Sequence, residues 1–402
     1  MLELEEARER LLAPIPPLPA ESIPVSAGAG RIVAETIQAP MDLPCSDNSA
    51  MDGYAVRADD LKNASAEAPA RLKVCGENPA GEVFSGSVEP GTCVRVFTGS
   101  FLPTGADAVV MQEDTRLVQR AVKEALVSES IKPFENVRFR GEDVRRGALL
   151  FSNGADLNAA GMALLAALGI KQVRVHRRPV IGLLATGSEL IEAGEPLEPG
   201  KIYESNRVML ATLLERAGAI PRVYPLVPDS LAASQTMLEK ALGECDGVVT
   251  TGGVSAGDHD FVKKAFEQIG GVMDFWKVAI RPGKPFVFGR CQGKFLFGLP
   301  GNPVSALVTF LLLVRPALLR WQGAASVEWP AAHGTLAEPL ANRGERRHFM
   351  RVTADAFGKV RSAGAQGSHM LSSLAKANGL VDVPPHSTLG IGTGVQVLRW
   401  GG

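Results

Sequence analysis

The segment Thr250–Asp260, which reads TTGGVSAGDHD, has the residue types and spacing of a loop that binds phosphate and metal. Two glycines directly after a predicted strand expose consecutive backbone N–H groups, which form a concave anion site where a helix begins. Asp258 and Asp260 come next, and carboxylates near a bound phosphate indicate a hard cation such as Mg²⁺ between them. A solvent-exposed glycine turn with surface acids would account for the same residues, so both interpretations stay open.

Three cations lie close together in the segment Trp276–Phe288, which reads WKVAIRPGKPFVF. The pattern predicts a strand, a turn and a second strand, with Lys277 and Arg281 on one face because side chains alternate along a strand. Together with Lys284 they would suit an oxyanion or a phosphate, since arginine offers a bidentate fork and lysine a point charge. A solvated basic hairpin is the alternative interpretation.

The segment Gly298–Ala306, which reads GLPGNPVSA, ends a predicted strand and begins an apolar helix. Pro300 and Pro303 bracket a Gly-Asn pair, and proline is favoured in the first turn of a helix. Such a rigid loop would hold its backbone close to a ligand, although a plain turn explains it equally well. The apolar stretch Val304–Val314 is shorter than the ~20 residues that a membrane-spanning helix needs. Arg315 ends this apolar stretch, and we expect a buried helix.

Strands alternate with helices in the second half of the chain. The predicted strands are Val180–Ala185, Arg222–Val227 and Gly247–Thr251, and the predicted helices are Asn206–Ala217, Ser234–Leu242 and Asp260–Ile269. Such alternation predicts a parallel, doubly wound α/β domain, and this fold binds its ligands beyond the carboxyl ends of the strands. Glu189 and Asp229 lie just after two of these strands, so we expect the functional site at that edge. Asn206 is a candidate N-cap for the first of these helices.

The remaining chain predicts two β-rich units and one further helix. Short strands separated by glycine and proline indicate a small β-rich lobe over residues 46–143, and recurring short strands from Trp329 onward indicate a closed β-domain. Within the lobe, DNSAMDGY (Asp47–Tyr54) and NVRFRGEDV (Asn136–Val144) carry acids that a turn and a surface ion-pair strand would also explain. The Ala-rich segment Leu157–Leu168 predicts a helix that packs against the first helix of the chain.

Composition and missing motifs exclude several classes of protein. A length of 402 residues is too great for one hydrophobic core and predicts about two to four domains. The net charge of −1 gives no reason to expect nucleic-acid binding. The first residues show no signal peptide, and the five widely spaced cysteines indicate neither a disulfide scaffold nor a zinc site, so we expect a cytoplasmic protein without a membrane segment. The sequence contains no Walker loop, no GxGxxG and no GxSxG, which excludes the common NTPases, dehydrogenases and serine hydrolases.

Eight segments, in the same order, resemble the MoeA/gephyrin E-domain family of molybdopterin molybdotransferases. They are DNSAMDGYAVR (Asp47–Arg57), FTGSFLPTGADAVVMQED (Phe97–Asp114), NVRFRGEDV (Asn136–Val144), ATGSEL (Ala185–Leu190), TTGGVSAGDHDF (Thr250–Phe261), AIRPGKPFVFG (Ala279–Gly289), GLPGNPVSA (Gly298–Ala306) and QGSHMLSSLAKANGL (Gln366–Leu380). Each segment alone is a weak signal, but eight in order are specific and extend along nearly the whole chain. One departure matters: Arg281 replaces the lysine that is common in the family. TTGG in place of SSGG is a conservative change, since both keep a hydroxyl and the glycines.

The resemblance implies an elongated homodimer with each active site at the subunit junction. It implies a multidomain fold of α/β plus β type: a helical dimerisation region (residues 1–45 and 144–178), an inserted β-rich lobe (46–143), a doubly wound α/β domain of the molybdopterin-binding type (179–326) and a C-terminal β-barrel (327–402). The β-lobe of one subunit would face the α/β domain of the other.

The resemblance also implies a reaction. The chain would insert molybdenum from molybdate into adenylylated molybdopterin, using Mg²⁺ and releasing AMP, in the biosynthesis of the molybdenum cofactor. The implied catalytic residues are Asp52, Asp143, Asp229 and Asp260, and the implied metal ligands are Glu189, Asp229 and Asp260. The implied substrate-binding residues are Thr98, Arg138, Gly252, Gly253, Ser255, Lys277, Arg281, Lys284, Pro300, Pro303, Ser368 and Ser373.

Three other functions stay open. A molybdopterin adenylyltransferase is the nearest, because the α/β domain resembles that sister family too; the β-lobe, the barrel and the TGGVSAGDHD loop favour insertion. A scaffold is the second, since the family's eukaryotic member also clusters receptors through this domain, but the compactness of the chain argues against it. A carrier that binds the pterin without releasing AMP is the third. For an insertion enzyme, a molybdopterin adenylyltransferase and downstream molybdoenzymes or their chaperones are the expected partners.

Overall fold

The computed structural model describes residues 1–119, 122–253, 261–329 and 331–400. The helices are Leu4–Leu12, Ala159–Ala167, Asn206–Arg216, Leu231–Glu244, Phe261–Gln268, Pro303–Thr309, Arg315–Trp321 and Leu371–Lys376. Short 3-10 turns lie at Val25–Ala27, Ala58–Leu61 and Gln112–Asp114. These elements and three large sheets give a multidomain fold of α/β plus β type, as predicted.

One six-stranded sheet forms the centre of the α/β domain. Its strands follow the order Ile220–Val223, Val180–Ala185, Gly247–Thr251, Lys294–Leu299, Val287–Cys291 and Val272–Phe275. The first four strands are parallel, but Val287–Cys291 runs antiparallel to both of its neighbours. The predicted all-parallel sheet is therefore wrong at this edge. The cause is a tight hairpin in which Gln292 and Gly293 have φ angles of 50° and 78°, because positive φ at both central residues gives a type I′ turn.

Helices cover both faces of this sheet, which confirms the doubly wound arrangement. On one face, Leu184, Val248 and Leu296 belong to the same buried cluster as residues of the helices Leu231–Glu244 and Phe261–Gln268. On the other face, Ile181, Val249 and Phe297 pack with residues of Asn206–Arg216 and of the long apolar helix. Because both faces are buried, these strands are continuous apolar runs, which made them recognisable in the sequence.

The long apolar helix, Pro303–Trp321, is a core element. It is long and apolar enough to cross a membrane, but 83% of its most apolar window is buried inside the protein. It starts with Pro303 in the first turn and contains a π-helical segment at Phe310–Val314. The predicted burial is confirmed, and the helix continues past Arg315, where the apolar stretch ends. The guanidinium of Arg315 lies 4.0 Å from the centre of the Trp329 ring, so the helix continues while the charge packs on an aromatic face.

The N-terminal region, predicted to be helical, is mixed. It contains two helices of nine residues each and two strand pairs: Ala20–Pro24 with Gln172–His176, and Ile37–Gln38 with Leu149–Phe151. The predicted packing of the Ala-rich helix Ala159–Ala167 on the first helix is wrong. Leu4, Ala7 and Leu11 of the first helix lie in the core of the α/β domain, whereas Leu165 packs with residues of the small strand pair. Each helix covers a different apolar surface.

The β-lobe contains a six-stranded sheet, as its short strands predicted. The strand order is Ala108–Met111, Gly53–Val56, Thr92–Val96, Ala70–Asn78, Lys123–Val127 and Thr115–Gln119. Beside the sheet, Asn48–Ser49 pairs with Val137–Arg138, which brings the two acid-containing segments of the lobe together.

The C-terminal domain is a closed barrel, which confirms the prediction. Five strands follow in the order Arg347–Ala354, Lys359–Ser362, Ala331–Leu336, Gly394–Arg399 and Gly379–Val383, and the last pairs with the first. Two small strand pairs lie elsewhere: Leu340–Asn342 with Ser387–Leu389, and Leu190–Ile191 with Ile202–Tyr203. A further strand, Ile280–Arg281, extends from the α/β domain and pairs with Arg347 and His348 of the barrel.

Candidate active site

A polar cavity of about 510 Å³ lies at the carboxyl ends of the parallel strands. Its lining includes the first residues beyond two of these strands, together with the start of the helix Asn206–Arg216 and part of the barrel. The lining residues are Thr186, Glu189, Leu190, Ile202, Tyr203, Glu204, Ser205, Asn206, Thr251, Gly252, Gly301, Asn302, Pro303, His369 and Leu371. The cavity is therefore at the edge of the sheet where the sequence placed the functional site.

Two glycines allow the loop after Gly247–Thr251 to pass close to the neighbouring strand end. Gly252 and Gly253 have φ angles of 84° and 62°, in the left-handed region that other residues avoid. A Cβ on Gly252 would lie 2.4 Å from the carbonyl oxygen of Thr186, and one on Gly253 would lie 2.6 Å from Cγ2 of Val262. Both glycines are therefore required by the backbone path. Ser255 and Asp260, which were predicted for the same loop, lie outside the described residues.

Replacing Gly252 by alanine should destabilise the protein by about 2–4 kcal/mol, because it combines left-handed strain with a backbone clash. The melting temperature measured by thermal unfolding would fall accordingly. The matched control is Gly270→Ala: Gly270 also has a positive φ, 85°, but a Cβ there meets nothing within 4 Å. Equal losses of stability in the two variants would show that the close approach to Thr186 is unimportant.

Asn206 ties three parts of the cavity wall together. Its Nδ2 donates to Oγ1 of Thr251 at 2.8 Å and to the carbonyl oxygen of Gly301 at 2.7 Å. The predicted N-cap role is wrong, because Ser205 is the residue before the first helical turn and the Asn206 side chain points across to the strand ends. Oδ1 of Asn206 and Oγ1 of Thr186 are buried without a hydrogen-bond partner among the described residues. Buried polar atoms are nearly always paired, so both are available to a polar ligand.

Glu189, which lines the cavity, and Asp229 lie at the same turn around Ser188. Oδ2 of Asp229 accepts a hydrogen bond from the backbone N–H of Ser188 at 2.9 Å, and the Ser188 hydroxyl accepts from the Asp229 backbone at 3.0 Å. The carboxylate of Glu189 lies over Gly187, where an added Cβ would be 2.6 Å from Oε2. Two carboxylates thus flank the turn. In the described part of the chain, no group of three acidic, histidine or cysteine side chains could hold a metal.

The loop after Lys294–Leu299 brings the two predicted prolines and Ser368 to the cavity. The carbonyl oxygen of Pro300 accepts from Oγ1 of Thr251 at 3.3 Å, and Pro303 lines the cavity. Nδ2 of Asn302 donates to Oγ of Ser368 at 3.1 Å, which holds a barrel loop against the start of the long helix. His369 in this loop also lines the cavity.

The strand, turn and strand predicted for Trp276–Phe288 are found only in part: the backbone N–H of Val278 donates to the carbonyl oxygen of Lys284 at 3.1 Å, and the flanking strands pair antiparallel. The segment between Val272–Phe275 and Val287–Cys291 leaves the sheet, because Pro282 and Pro285 lack the N–H groups that a strand ladder needs. Nζ of Lys277 lies 4.2 Å from the centre of the Trp276 ring, whereas Arg281 sits on the strand that pairs with the barrel. Lys277 and Arg281 therefore belong to different surroundings, and Lys284 follows Arg281 as an exposed residue.

A fully buried arginine of the barrel lies behind the Ser368 loop. Nε of Arg351 donates to Oγ of Ser373 at 3.1 Å, and Nη2 donates to the carbonyl oxygens of Ala365 and Gly367 at 2.6 and 3.1 Å. Its Nη1 is buried and has no hydrogen-bond partner in the described parts of the chain. Ser373 is buried and also donates to Ala365, so its hydroxyl is already engaged. We did not select Arg351 from the sequence, although an arginine within the apolar run HFMRV is an available signal.

His348 lies on the same barrel strand as Arg351 and is surrounded by positively charged side chains. Burial, followed by the charges of Arg281, Arg351 and Arg346, lowers the pKa of His348 to about 4. Its Nε2 is buried without a hydrogen-bond partner. Among the described residues, these three arginines form no ion pair with a carboxylate, and the neighbouring charge of Arg281 helps to lower the pKa of Arg346. Unpaired guanidinium groups this close together favour binding of an anion.

The low pKa of His348 predicts a loss of stability in acid. From the ordinary value of 6.5 down to about 4, the unfolded chain binds a proton that the folded protein does not. The free energy of unfolding should therefore fall as the pH decreases through this window, by at most about 3 kcal/mol. In the variant His348→Gln, unfolding by urea between pH 4.5 and 7 should show a flatter dependence on pH. His333→Gln, which changes an exposed histidine, should keep the wild-type dependence of stability on pH. If both variants flattened this dependence equally, the acid sensitivity could not be assigned to His348.

The predicted residues of the β-lobe gather at a separate edge. Oδ1 of Asp52 accepts from the backbone N–H and the hydroxyl of Thr98 at 2.7 and 2.8 Å, and these bonds lower the pKa of Asp52. Arg138 is paired with Asn48 on an adjacent strand. Asp143 is exposed near the base of the lobe, where its backbone N–H donates to Leu43 at 3.1 Å. Because its pKa is lowered by the bonds from Thr98, Asp52 stays ionised at neutral pH.

No hydrogen bond found between described residues joins the β-lobe (46–143) to the α/β domain (179–326). The predicted site residues form three groups within this one chain. Those around the cavity are Glu189, Asp229, Gly252, Gly253, Pro300, Pro303 and Ser368. The second group is Arg281, whose charge acts on His348, and Ser373, which accepts from Arg351; the third group is the set of lobe residues. Lys277 packs on the Trp276 ring, and the carbonyl oxygen of Lys284 accepts from the N–H of Val278 at 3.1 Å.

Comparison with known families agrees with this arrangement. The family model of the MoeA N-terminal region (domain I and II) matches residues 2–169, that of a probable molybdopterin binding domain matches residues 182–320, and that of the MoeA C-terminal region (domain IV) matches residues 333–400. Together they cover most of the chain. The chain belongs to the MoeA family.

Relatives of this MoeA family member span nearly its whole length. It is 40% identical over 384 residues to the molybdopterin molybdenumtransferase of Haemophilus influenzae, covering 94% of this chain and 93% of that one. The Bacillus subtilis protein of the same name is 36% identical, covering 92% and 87% of the two chains. The crystal structure of the molybdopterin biosynthesis moeA protein from Pyrococcus horikoshii OT3 superposes with a TM-score of 0.85 at 34% identity, covering 100% of both chains.

Proposed function

We propose that the chain is a transferase that inserts molybdenum from molybdate into adenylylated molybdopterin and releases AMP. The activity named for its relatives supports the reaction. One observation carries it for this chain: Arg351, which forms no ion pair with a carboxylate among the described residues, bonds to the loop of residues 365–369, and this loop also contacts the wall of the polar cavity. An oxyanion and a phosphorylated ligand could then bind side by side, which the transfer requires.

The arginine group is the proposed molybdate site. Arg281 and Lys284 supply positive charge at the surface, and Arg351 supplies a buried donor, Nη1, that has no protein partner. A bound dianion would accept from that donor and balance the local charge, with attraction strengthened by the low dielectric of a buried site. The sulfur atoms that receive molybdenum belong to the pterin, so no cysteine of the protein takes part.

The cavity is the proposed site for the diphosphate and AMP. The backbone N–H of Gly253 would bind a phosphate oxygen, as at other glycine turns, while that of Gly252 donates to the carbonyl oxygen of Leu299 at 3.2 Å and holds the turn against the neighbouring strand. Oδ1 of Asn206 and Oγ1 of Thr186, which lack partners, are available to the nucleotide or the pterin. Hydrolysis of the phosphoanhydride then releases AMP and leaves a phosphate on the pterin.

The carboxylates at the Ser188 turn fit a magnesium ion. Mg²⁺ is usually held by one or two protein carboxylates together with phosphate oxygens and water, and Glu189 and Asp229 provide these two at one turn. Asp260 is the third proposed ligand. When bound, the ion would neutralise charge on the phosphoanhydride. The Ser188 N–H keeps one oxygen of Asp229 directed into the turn, which orients the carboxylate.

We further propose that the complete site forms between two subunits of a homodimer. Asp52, Thr98, Arg138 and Asp143 would come from the β-lobe of one subunit and the cavity from the α/β domain of the other. The separation of these groups within one chain supports this arrangement, because Asp52 has no other role evident in the lobe than its bonds to Thr98. The adenylylated substrate would come from a molybdopterin adenylyltransferase, and molybdoenzymes or their chaperones would receive the product.

The reaction can be tested by AMP release from adenylylated molybdopterin, with and without molybdate and with Mg²⁺ or EDTA. Release that requires molybdate, with molybdenum recovered on the pterin, is the expected result. Sensitivity to EDTA would support the metal site. Attachment of AMP to metal-free pterin from ATP would identify an adenylyltransferase instead, and binding of the pterin without either reaction would identify a carrier.

A further inference from the structure

The segment Ser188–Glu204 forms a flap at the mouth of the cavity. Its two ends meet as the short parallel strands Leu190–Ile191 and Ile202–Tyr203. The backbone N–H of Ile202 donates to the carbonyl oxygen of Glu189 at 2.9 Å, and Glu189 and Tyr203 both line the cavity. The position of Glu189 therefore depends on how this flap is held.

One buried arginine outside the flap contacts both of its ends. Nε of Arg207 donates to Glu204 at 3.0 Å, and Nη2 donates to both carboxylate oxygens of Glu192 at 2.6 and 2.7 Å. Nη1 donates to the carbonyl oxygen of Tyr224 at 2.7 Å. A single guanidinium thus joins the start and the end of the flap to the rigid helix Asn206–Arg216 and to the chain beyond the edge strand.

We infer that Arg207 latches the flap and is a positioning residue for Glu189. The guanidinium uses its rigid fork to join two carboxylates that are separated by eleven residues of flap, which a lysine could not do with the same geometry. Release of the latch frees the exposed part of the flap and with it the carboxylate of Glu189. The inference about Glu189 rests on the proposed function, whereas the latch itself does not.

The two carboxylates differ in burial, which makes the latch testable without disrupting the fold. The side chain of Glu204 is 3% exposed and that of Glu192 is 57% exposed. Removing Arg207 or Glu204 would leave an unpaired buried charge and destabilise the domain. The variant Glu192→Gln instead weakens only the solvent-exposed arm. Glu198→Gln is the matched control, because Glu198 lies on the same flap, is exposed and makes no side-chain bond to another described residue.

Limited trypsin digestion tests the latch directly. Lys201 is on the flap, and its Nζ donates to the carbonyl oxygen of Ser188 at 2.6 Å, so cleavage after Lys201 requires local opening. We expect Glu192→Gln to be cleaved there about two- to five-fold faster than wild type, the range for losing one partly exposed ion pair. Glu198→Gln should match the wild type. Equal cleavage rates in all three proteins would overturn the latch.

Titration of Mg²⁺ in the AMP-release assay tests the effect on Glu189. Glu192→Gln should raise the half-saturating Mg²⁺ concentration by about two- to five-fold with little change in the maximal rate, because each opening event removes one ligand without altering the closed site. An unchanged Mg²⁺ dependence alongside faster cleavage would overturn the positioning role but keep the latch. If wild type releases no AMP, the proposed function fails, and the digestion result still decides whether the latch exists.

Discussion

Replacing Asp229 by asparagine should lower AMP release by about 100-fold or more, because the carboxylate that we propose to hold Mg²⁺ would lose its charge. The fold should be retained, since the asparagine carbonyl oxygen can still accept the hydrogen bond that the Ser188 N–H donates to Asp229 at 2.9 Å. Single-turnover AMP release at saturating Mg²⁺ and molybdate measures the loss, and thermal unfolding measures the stability.

The control for this variant is Asp114→Asn, which removes a charge at an exposed position of the β-lobe and should keep wild-type activity. Near-normal AMP release by Asp229→Asn would refute the metal site at the Ser188 turn. A melting temperature far below that of wild type would instead assign Asp229 a mainly structural role.

Two inactive variants should restore activity when they share a dimer. In a mixed dimer, one subunit carries Asp52→Asn and the other carries Asp229→Asn. If each site combines the lobe of one subunit with the cavity of the other, both defects fall in one site and the other site stays intact. Dimers that carry one subunit of each variant, purified through two affinity tags, should then show about half of wild-type activity. Each variant alone should be inactive.

The same experiment excludes the opposite arrangement. If Asp52 and Asp229 of one subunit served the same site, every site of the mixed dimer would carry one defect and no activity would return. Failure to recover any mixed dimer would contradict the homodimer itself. A further control is a dimer of one wild-type subunit and one subunit that carries both Asp52→Asn and Asp229→Asn. If each site combines residues of both subunits, each site of this dimer carries one defect, and the dimer should be inactive.

Strands that are buried on both faces could be predicted from the sequence. The strand Gly247–Thr251 was predicted with its correct ends, and the edge of the sheet that carries the cavity followed from the polar residues after each strand. Such runs identify themselves because a strand buried on both faces must be apolar throughout. The resemblance of eight ordered segments then indicated the family, which the family models confirm.

Predictions failed where local pattern and long-range packing disagree. The segment around Lys277 and Arg281 alternates like a hairpin, yet Ile280–Arg281 pairs with the barrel. Asn206 has the residue type of an N-cap, but its side chain bonds to Thr251 and Gly301. In both cases the partner is distant in sequence, and a local pattern contains no information about which distant group will be adjacent.

The sequence by itself determined the family, the α/β domain, the closed β-domain and the acids and glycines of the site, because residue type and order are local properties. Only the tertiary structure revealed Arg351 with its unpartnered Nη1, the cations around His348 and the contacts of Arg207 with both ends of the flap. Whether each of these groups can bind a ligand or hold a loop depends on its burial and on which carboxylates lie nearby. Burial and neighbouring charges are both set by the folding of the chain, because folding removes water from a charged group and brings distant residues next to it.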